Sequence, residues 1–162
     1  MTRVRSLAPE VANLINPSFC GYLLRRAAEG YAKERGTGIP FELTFLVLPI
    51  VLHEETRQAL PPNIRTKMHP WLQETPVARL GFASRARALS TFTRNGLLFA
   101  STHGIARVDQ DGRVWPTPFT PKKPPVKAAE VRECLDTAEL VGRWLAQAGN
   151  PATIYLMWGI QP

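Results

Sequence analysis

Cysteine, histidine and long apolar runs are scarce in this chain, and each scarcity excludes a class of protein. Its 162 residues include two cysteines, too few for a disulfide framework, and Cys20 and Cys134 are predicted to be buried thiols of a cytoplasmic protein. Three histidines and two distant cysteines fall short of a zinc-ligand set. The longest apolar stretch, residues 41–52, is too short to span a bilayer and is interrupted by Glu42 and Pro49, so it predicts a core helix.

Catalytic motifs are missing as well. Residues 53–57 (His-Glu-Glu-Thr-Arg) begin like a metalloprotease helix, but Arg57 stands where the second histidine ligand belongs. Residues 36–38 (Gly-Thr-Gly) lack the lysine and the serine or threonine of a phosphate-binding loop, and a helix cap followed by a linker accounts for both glycines. The sequence therefore predicts a protein that is not an enzyme, with no catalytic residue, no metal site and no cofactor.

Acidic residues are absent from residues 75–108, and this absence concentrates the net charge. Residues 75–128 contain nine basic and two acidic side chains, an excess that equals the net charge of +7 of the whole chain. A field of one sign over helices and a hairpin is typical of nucleic-acid binders. The residues that we expect to contact nucleic acid are Arg79, Arg85, Arg87, Arg94, Arg107, Arg113, Lys122 and Lys123.

Proline and glycine predict where the first helices begin and end. Asn16-Pro17 starts an amphipathic helix that should end at Gly36, because proline suits the first helical position and glycine suits the position after the last. Pro40 opens a second helix that is apolar on nearly all sides and should kink or break at Pro49. A helix without a polar face must lie at the centre of the fold.

The basic segment predicts two helices followed by a hairpin. One helix should cover residues 76–89, and Ser90 or Thr91 should cap another over residues 92–102, with residues 97–99 facing inward. An Asp-Gly pair between β-branched and aromatic residues then predicts a β-hairpin over residues 105–116. This order of elements is that of a winged helix-turn-helix.

The predicted fold is mainly α with a small β-hairpin: a winged-helix-like core flanked by N-terminal and C-terminal helices. Residues 1–162 should form a single domain, with a helical body over 16–116 and a proline-rich surface connection over 117–127. Residues 128–162 predict two helices, although a strand is the open alternative for the last of them, over residues 151–158. We expect both to pack on the helix over residues 19–31.

Two features leave alternatives open. Arginine grips an acidic protein surface as readily as a phosphate backbone, so the basic segment fits a protein partner as well as DNA. Tryptophan is similarly ambiguous: Trp144 lies beside the apolar stripe and should be core, whereas Trp115, on a hairpin strand, is a candidate for an exposed residue that binds another protein.

Short motifs in a fixed order extend over nearly the whole chain. They are Asn16-Pro17, Gly30-Tyr31, Leu46-Val47-Leu48-Pro49, Thr56-Arg57, Leu60-Pro61, Trp71, Gly81-Phe82-Ala83, Arg85-Ala86, Thr93-Arg94, Leu97-Leu98-Phe99, Gly104, Gly142-Arg143-Trp144-Leu145, Ala148-Gly149 and Gly159-Ile160-Gln161-Pro162. In this combination the chain resembles the middle component of bacterial three-component ABC-ATPase systems.

The resemblance implies a non-enzymatic adaptor with a winged-helix-like body. Such an adaptor links an SMC/Rad50-type ABC ATPase to an effector-linked third subunit, in a complex that acts against phage or plasmid DNA, and double-stranded DNA is an expected partner. The alternative is a free-standing winged-helix transcriptional regulator, which should be a symmetric dimer on a short palindrome. Whether the adaptor also forms a homo-oligomer stays open, and no membrane partner is expected.

Overall fold

The computed structural model describes residues 16–118 and 129–161. This part of the chain is mainly helical and has one small antiparallel sheet, as the sequence predicts. The helices are α1 (Pro17–Arg35), α2 (Phe41–Val51), α3 (Glu54–Ala59), α4 (Met68–Glu74), α5 (Pro76–Arg79), α6 (Phe82–Thr102), α7 (Ala129–Gln147) and α8 (Pro151–Met157). The strands are β1 (Ile39–Pro40), β2 (Ala106–Val108) and β3 (Arg113–Pro116).

Helix α1 begins and ends where its sequence predicts. The Asn16 side chain accepts a hydrogen bond from the Phe19 N–H at 2.8 Å, which satisfies a donor that the first turn leaves without a helical partner. Gly36 ends the helix in the left-handed conformation, with φ of 70°. The buried face of α1 packs against α6 and α7, so this helix connects both halves of the fold.

Helix α2 lies at the centre, as its apolar composition predicts. Residues 43, 44 and 46–51 are all buried. Pro49 is accommodated inside the helix, which then ends at Val51, so the predicted break follows two residues after the proline. Pro40 differs from its predicted role: it pairs with Arg113 in the sheet and precedes the first helical residue instead of being that residue.

The strands form a sheet in the order β1-β3-β2, and both pairs are antiparallel. The predicted hairpin is confirmed, with Val108 opposite Val114. Residues 110–112 form its loop, because the Asp109 N–H donates to the Arg113 carbonyl at 2.9 Å. Gly112 takes a φ of 72° in that loop, a conformation that glycine adopts without strain.

The predicted boundary between the two helices of the basic segment is wrong. The chain breaks at Gly81, whose φ is 69°, and α6 then runs without interruption through Ser90. The Ser90 hydroxyl donates to the Arg87 carbonyl at 2.8 Å, so it bonds within the helix instead of capping a new one. Because α6 is continuous, Leu98 is 67% exposed, which also corrects its predicted inward orientation.

The C-terminal helices pack in two different places. Helix α7 lies along α1 so closely that a Cβ at Gly142 would fall 1.9 Å from the Ala27 carbonyl oxygen. Residues 151–157 form a helix, α8, and not the alternative strand. Trp158, which follows α8, packs on Phe82 and Trp71. The end of the chain is therefore held by α4 and α6, which corrects the expectation that it packs on α1.

No helix in the described part of the chain could span a membrane. Among the helices within residues 16–118 and 129–161, none combines the length and the apolar character that a bilayer span requires.

Candidate nucleic-acid interface

The outer side of α6 carries polar and basic side chains at helical spacing. Arg87, Thr91, Arg94, Asn95 and Leu98 are all exposed, and their spacing places them on one side of the helix. The 21 residues of α6 include no acid. We call these five residues, together with Arg107 of the hairpin, the basic face.

Close packing fixes the position of this helix. Gly96 lies against α1, where a Cβ on it would come within 2.8 Å of the Cys20 Cβ. On the α1 side, a Cβ at Gly21 would lie 3.0 Å from the Gly96 carbonyl oxygen. The two backbones therefore approach each other at a pair of glycines, and this contact directs the opposite side of α6 to solvent.

Arg87 and Arg94 have no carboxylate partner on this face. Arg94 is exposed, and its guanidinium lies 5.9 Å from the centre of the Phe45 ring, a cation–π contact that leaves hydrogen-bond donors free. Arg87 is exposed and forms no ion pair within residues 16–118 and 129–161. Across the described residues, none of the ion pairs includes any of the arginines at 79, 85, 87, 94, 107 and 113. These two positive charges are thus available to an external anion.

The hairpin presents a third arginine, Arg107, which packs on the side chain of Trp115. Arg107 and Trp115 are cross-strand partners, and the Arg107 guanidinium lies 5.2 Å from the centre of the indole ring. The Trp115 Nε1–H donates to Asp109 Oδ2 at 2.7 Å. A Cβ at Gly38 would lie 2.7 Å from that Nε1, so the ring also packs closely on the chain before β1. Trp115 is half-buried in this arrangement, and its use as a contact for another protein stays a prediction.

Asp109 is an acid within the basic segment, and its carboxylate organises the loop. Its Oδ1 accepts hydrogen bonds from the backbone N–H groups of Asp111 and Arg113, both at 2.9 Å. The bond from the Arg113 N–H, followed by the one from the Trp115 indole, lowers the pKa of Asp109. The loop is therefore held by an ionised carboxylate whose oxygens are already engaged.

Arg25 joins the hairpin to α1. Its Nε donates to the Ile105 carbonyl at 3.2 Å, and its Nη2 donates to the Thr117 carbonyl at 2.8 Å. These carbonyls lie at the two ends of the hairpin, so a single guanidinium fixes both to the helix body. Sequence reasoning missed this residue, because the contacts join positions 80 and 92 residues apart.

Two of the predicted contact residues are engaged inside the protein. Arg113 is half-buried and donates from Nη1 to the Gly38 carbonyl at 3.0 Å. Arg85 is half-buried between α3 and α6, and it donates to the Leu80 carbonyl at 3.1 Å and to Thr56 Oγ1 at 3.5 Å. Burial lowers the pKa of Arg85. Arg85 and Arg113 therefore donate side-chain hydrogen bonds inside the protein, whereas the internal contacts of Arg94 and Arg107 are cation–π contacts with Phe45 and Trp115.

Arg79, another predicted contact residue, lies apart from the basic face. Arg79 ends α5, and its guanidinium lies against Gly159, where a Cβ would be 3.4 Å from Nη2. Lys122 and Lys123 lie outside the described residues. The structure thus groups Arg87 and Arg94 on α6 and adds Arg107 on the hairpin that follows.

Three members of the basic face are missing from the residues predicted by sequence. Thr91, Asn95 and Leu98 belong to it because α6 continues through Ser90, and the predicted helix boundary at that point separated them from Arg87. A continuous helical period from Phe82 would have placed them on the same side as Arg87. The helical spacing of these residues therefore indicated a shared face, but the predicted cap at Ser90 or Thr91 divided the helix and concealed it.

Metal binding has no comparable site among the described residues. In residues 16–118 and 129–161, no group of three or more His, Cys, Asp or Glu side chains is arranged to hold a metal ion. His53 caps α3, and burial lowers its pKa. Burial also raises the pKa of the Cys20 thiol to about 11, which disfavours the reactive thiolate at neutral pH.

Comparison with known proteins identifies the family. No curated protein and no solved structure matches the chain. The model of one family, described as "ABC-three component (ABC-3C) system Middle Component 3", matches residues 4–162. This match covers nearly the whole sequence and confirms the resemblance carried by the ordered short motifs. The chain therefore belongs to the middle component 3 family of ABC-three component systems.

Proposed function

We propose that this middle component is a non-enzymatic adaptor that links an SMC/Rad50-type ABC ATPase to an effector-linked third subunit and contacts double-stranded DNA through its basic face. The observation that carries the DNA contact is the exposed set of Arg87, Arg94 and Arg107, none of which forms an ion pair with a carboxylate among the described residues. Membership of a multi-component system supports the adaptor role. A complex that acts in the cytoplasm against phage or plasmid DNA would use both properties.

The order of the elements supports a winged-helix architecture. Strand β1 lies between α1 and α2 in sequence, the hairpin follows α6 directly, and β3 occupies the centre of the sheet. In this arrangement α6 is the recognition helix and β2–β3 is the wing. The packing of α7 along α1 supports the view that the chain forms one domain, because it joins elements from the two ends of the described chain.

The side chains of the basic face match the groups that duplex DNA offers. Helix α6 has 21 residues and is about 30 Å long, and the major groove admits a helix of this kind. Arginine pairs with phosphate oxygens or with the guanine edge, and an asparagine such as Asn95 pairs with the adenine edge. Leu98 suits an apolar contact such as a thymine methyl. We therefore assign α6 to the groove and Arg107 of the wing to the neighbouring backbone.

The adaptor role is tested by co-expression with the ABC ATPase of the same three-component system. We expect the two proteins to elute together in size-exclusion chromatography and the middle component alone to hydrolyse no ATP. Separate elution of two well-folded proteins would contradict the adaptor role.

The DNA contact is tested by a mobility shift with a random-sequence duplex of about 30 base pairs at low salt. We expect the wild-type protein to retain the duplex and the triple variant Arg87→Glu, Arg94→Glu, Arg107→Glu to release it, with an unchanged helical circular dichroism spectrum. Equal retention by both proteins would show that the duplex is held elsewhere.

The winged-helix order of elements also favours a second candidate, the free-standing transcriptional regulator. A regulator should be a symmetric dimer that selects a short palindrome, because a two-fold protein reads two half-sites about one helical turn apart. Light scattering of the protein on DNA separates the two functions. A monomer that binds without sequence preference fits the adaptor, whereas a dimer on a palindrome fits the regulator.

A further inference from the structure

A second distinctive surface lies away from the basic face, between α4, α5 and α8. It is an open cleft with a volume of about 450 Å³, and its apolar lining comes from Leu72, Leu156 and Met157. A smaller pocket of about 210 Å³ adjoins it and shares His69 and Met157. None of the basic-face residues lines either of these two pockets.

Large apolar side chains are exposed on the elements around this cleft. Leu156 is 58% exposed on α8, Leu80 is 75% exposed at the end of α5, and Val77 is 43% exposed within α5. They are three of the six large apolar side chains that are exposed in the described part of the chain. Leu156 lines the cleft itself, and Val77 and Leu80 flank Arg79, which also lines it, in sequence. Exposed apolar side chains at a concave surface are typical of a protein–protein contact.

The charges at the cleft are of one sign. Arg79 lines the larger pocket and makes none of the ion pairs in the described residues, and Lys67 lines the smaller one. Among the described residues, no acidic side chain lines either pocket. The cleft therefore combines an apolar lining with positive charge at its edge, and the complementary ligand combines an apolar side chain with carboxylates.

The walls of the cleft are preformed. Asn150 caps the start of α8, where its side chain accepts from the Thr153 N–H at 2.9 Å. After the end of α8, Trp158 is fully buried against Phe82, with ring centres 4.5 Å apart. Both ends of α8 are thus fixed while Leu156 stays exposed between them. A partner would meet an ordered surface and would lose little binding energy to ordering it.

We propose that this cleft is the docking site for a segment of another subunit of the complex, in which a large apolar side chain lies next to aspartate or glutamate. The inference rests on the adaptor function and deepens it by placing subunit docking and DNA contact on separate surfaces. Duplex DNA offers no large apolar side chain for Leu72 and Leu156 to bury. A second copy of this chain is disfavoured as the occupant because it also carries a net charge of +7.

The test compares two substitutions of the same kind at equally accessible leucines. Leu156→Glu places a carboxylate in the cleft, and Leu98→Glu places one on the basic face. In co-expressed complexes we expect Leu156→Glu to weaken subunit association at least about tenfold, the loss that follows when one buried leucine contact is removed, and to leave DNA retention unchanged. We expect Leu98→Glu to do the reverse. Arg79→Glu should repeat the effect of Leu156→Glu without changing an apolar side chain.

A photo-crosslinking residue, p-benzoylphenylalanine, in place of Leu156 then identifies the occupant by mass spectrometry. We expect a crosslink to a segment of another subunit that has an acidic residue within about one helical turn of an apolar one. A crosslink to a second copy of this chain, or wild-type association of both Leu156→Glu and Arg79→Glu, would overturn the docking site while the adaptor function stands. If the wild-type chain binds no other subunit, the adaptor function fails and the docking site fails with it.

Discussion

The two sides of α1 show opposite uses of the same residue type. On one side α1 meets α7 in a contact that we call the helix seam. Its basic side chains Arg26, Lys33 and Arg143 all have carboxylate partners. On the other side α1 supports α6, whose exposed arginines, Arg87 and Arg94, form no ion pair among the described residues. The role of an arginine in this protein therefore depends on whether the fold places an acid within its reach, and composition alone does not reveal that.

The helix seam is closely packed and electrically balanced. Arg26 reaches Glu29 at 3.0 Å and Glu139 at 2.8 Å, and Arg143 reaches Glu34 at 2.9 Å. Lys33 adds a second ion pair to the Glu139 carboxylate. The pairs of Arg26 and Lys33 with Glu139 and of Arg143 with Glu34 join α1 to α7, so these charges stabilise the contact between the two helices.

Disrupting the packing of the helix seam should lower the free energy of unfolding more than removing any one of its charges. A Cβ at Gly142 would lie 1.9 Å from the Ala27 carbonyl oxygen, so Gly142→Ala should force α7 away from α1. We expect the free energy of unfolding to fall by about 3 kcal/mol, the upper range for overpacking, as measured by urea denaturation. Alanine is the better helix former by about 1 kcal/mol, so a variant more stable than the wild type would mean that the close contact does not exist in solution.

Removing one arginine from each side of α1 tests whether arginines at the helix seam stabilise the fold more than those on α6. Arg26→Ala should lower the free energy of unfolding by about 1 kcal/mol, because Arg26 pairs with carboxylates on both α1 and α7. Arg87→Ala should change it by less than about 0.5 kcal/mol, because Arg87 is exposed and forms no ion pair with the part of the chain that the structure describes. Thermal and urea unfolding of the two variants measure the difference. Equal losses would show that the two sides do not differ in the way we describe.

The smallest expected effect concerns pH. The hydrogen bond from Lys33, together with the charge of Arg26, lowers the pKa of Glu139 below its ordinary value of 4.5. A lowered pKa in the folded state means that the stabilisation is complete above pH 4.5 and is lost as the pH falls through the lowered value.

We therefore expect Glu139→Gln to be less stable than the wild type by about 0.5 to 1 kcal/mol at pH 7, and the difference to vanish in acid. Urea unfolding from pH 7 down to pH 3 measures the trend. A difference that stays constant over this range would mean that the charge of Glu139 is not what stabilises the seam.

Local chemistry accounts for what the sequence predicts well. The side chain of Asn16 and the left-handed turn at Gly36 fix the two ends of α1, and Gly112 fixes the loop of the hairpin. Each of these signals acts within about four residues, so it is visible without the fold. The apolar character of α2 is equally visible, and it predicts the central position correctly.

Contacts between distant residues account for the rest. Ser90 had the right composition for a cap, but packing of α6 on α1 keeps the helix continuous, and its hydroxyl bonds back to Arg87. Arg113 donates a hydrogen bond to the Gly38 carbonyl, 75 residues away in sequence, and no local sequence pattern predicts that bond. Sequence therefore located the basic segment, whereas only the fold separates its free arginines from those with internal partners.

The central claim is that Arg87, Arg94 and Arg107 bind the phosphates of duplex DNA. Its most direct test is the dependence of log K on log salt concentration, measured by fluorescence anisotropy with a labelled duplex. The triple variant Arg87→Ala, Arg94→Ala, Arg107→Ala is compared with a matched control, Arg35→Ala, Arg65→Ala, Arg132→Ala, which removes the same charge from exposed positions outside the basic face. We expect the first variant to flatten the wild-type slope by about 2.7, because each phosphate contact contributes about 0.9, and we expect the control to change it by less than about 0.9. Equal changes in the two variants would contradict the claim, since the binding would then follow net charge and not this face.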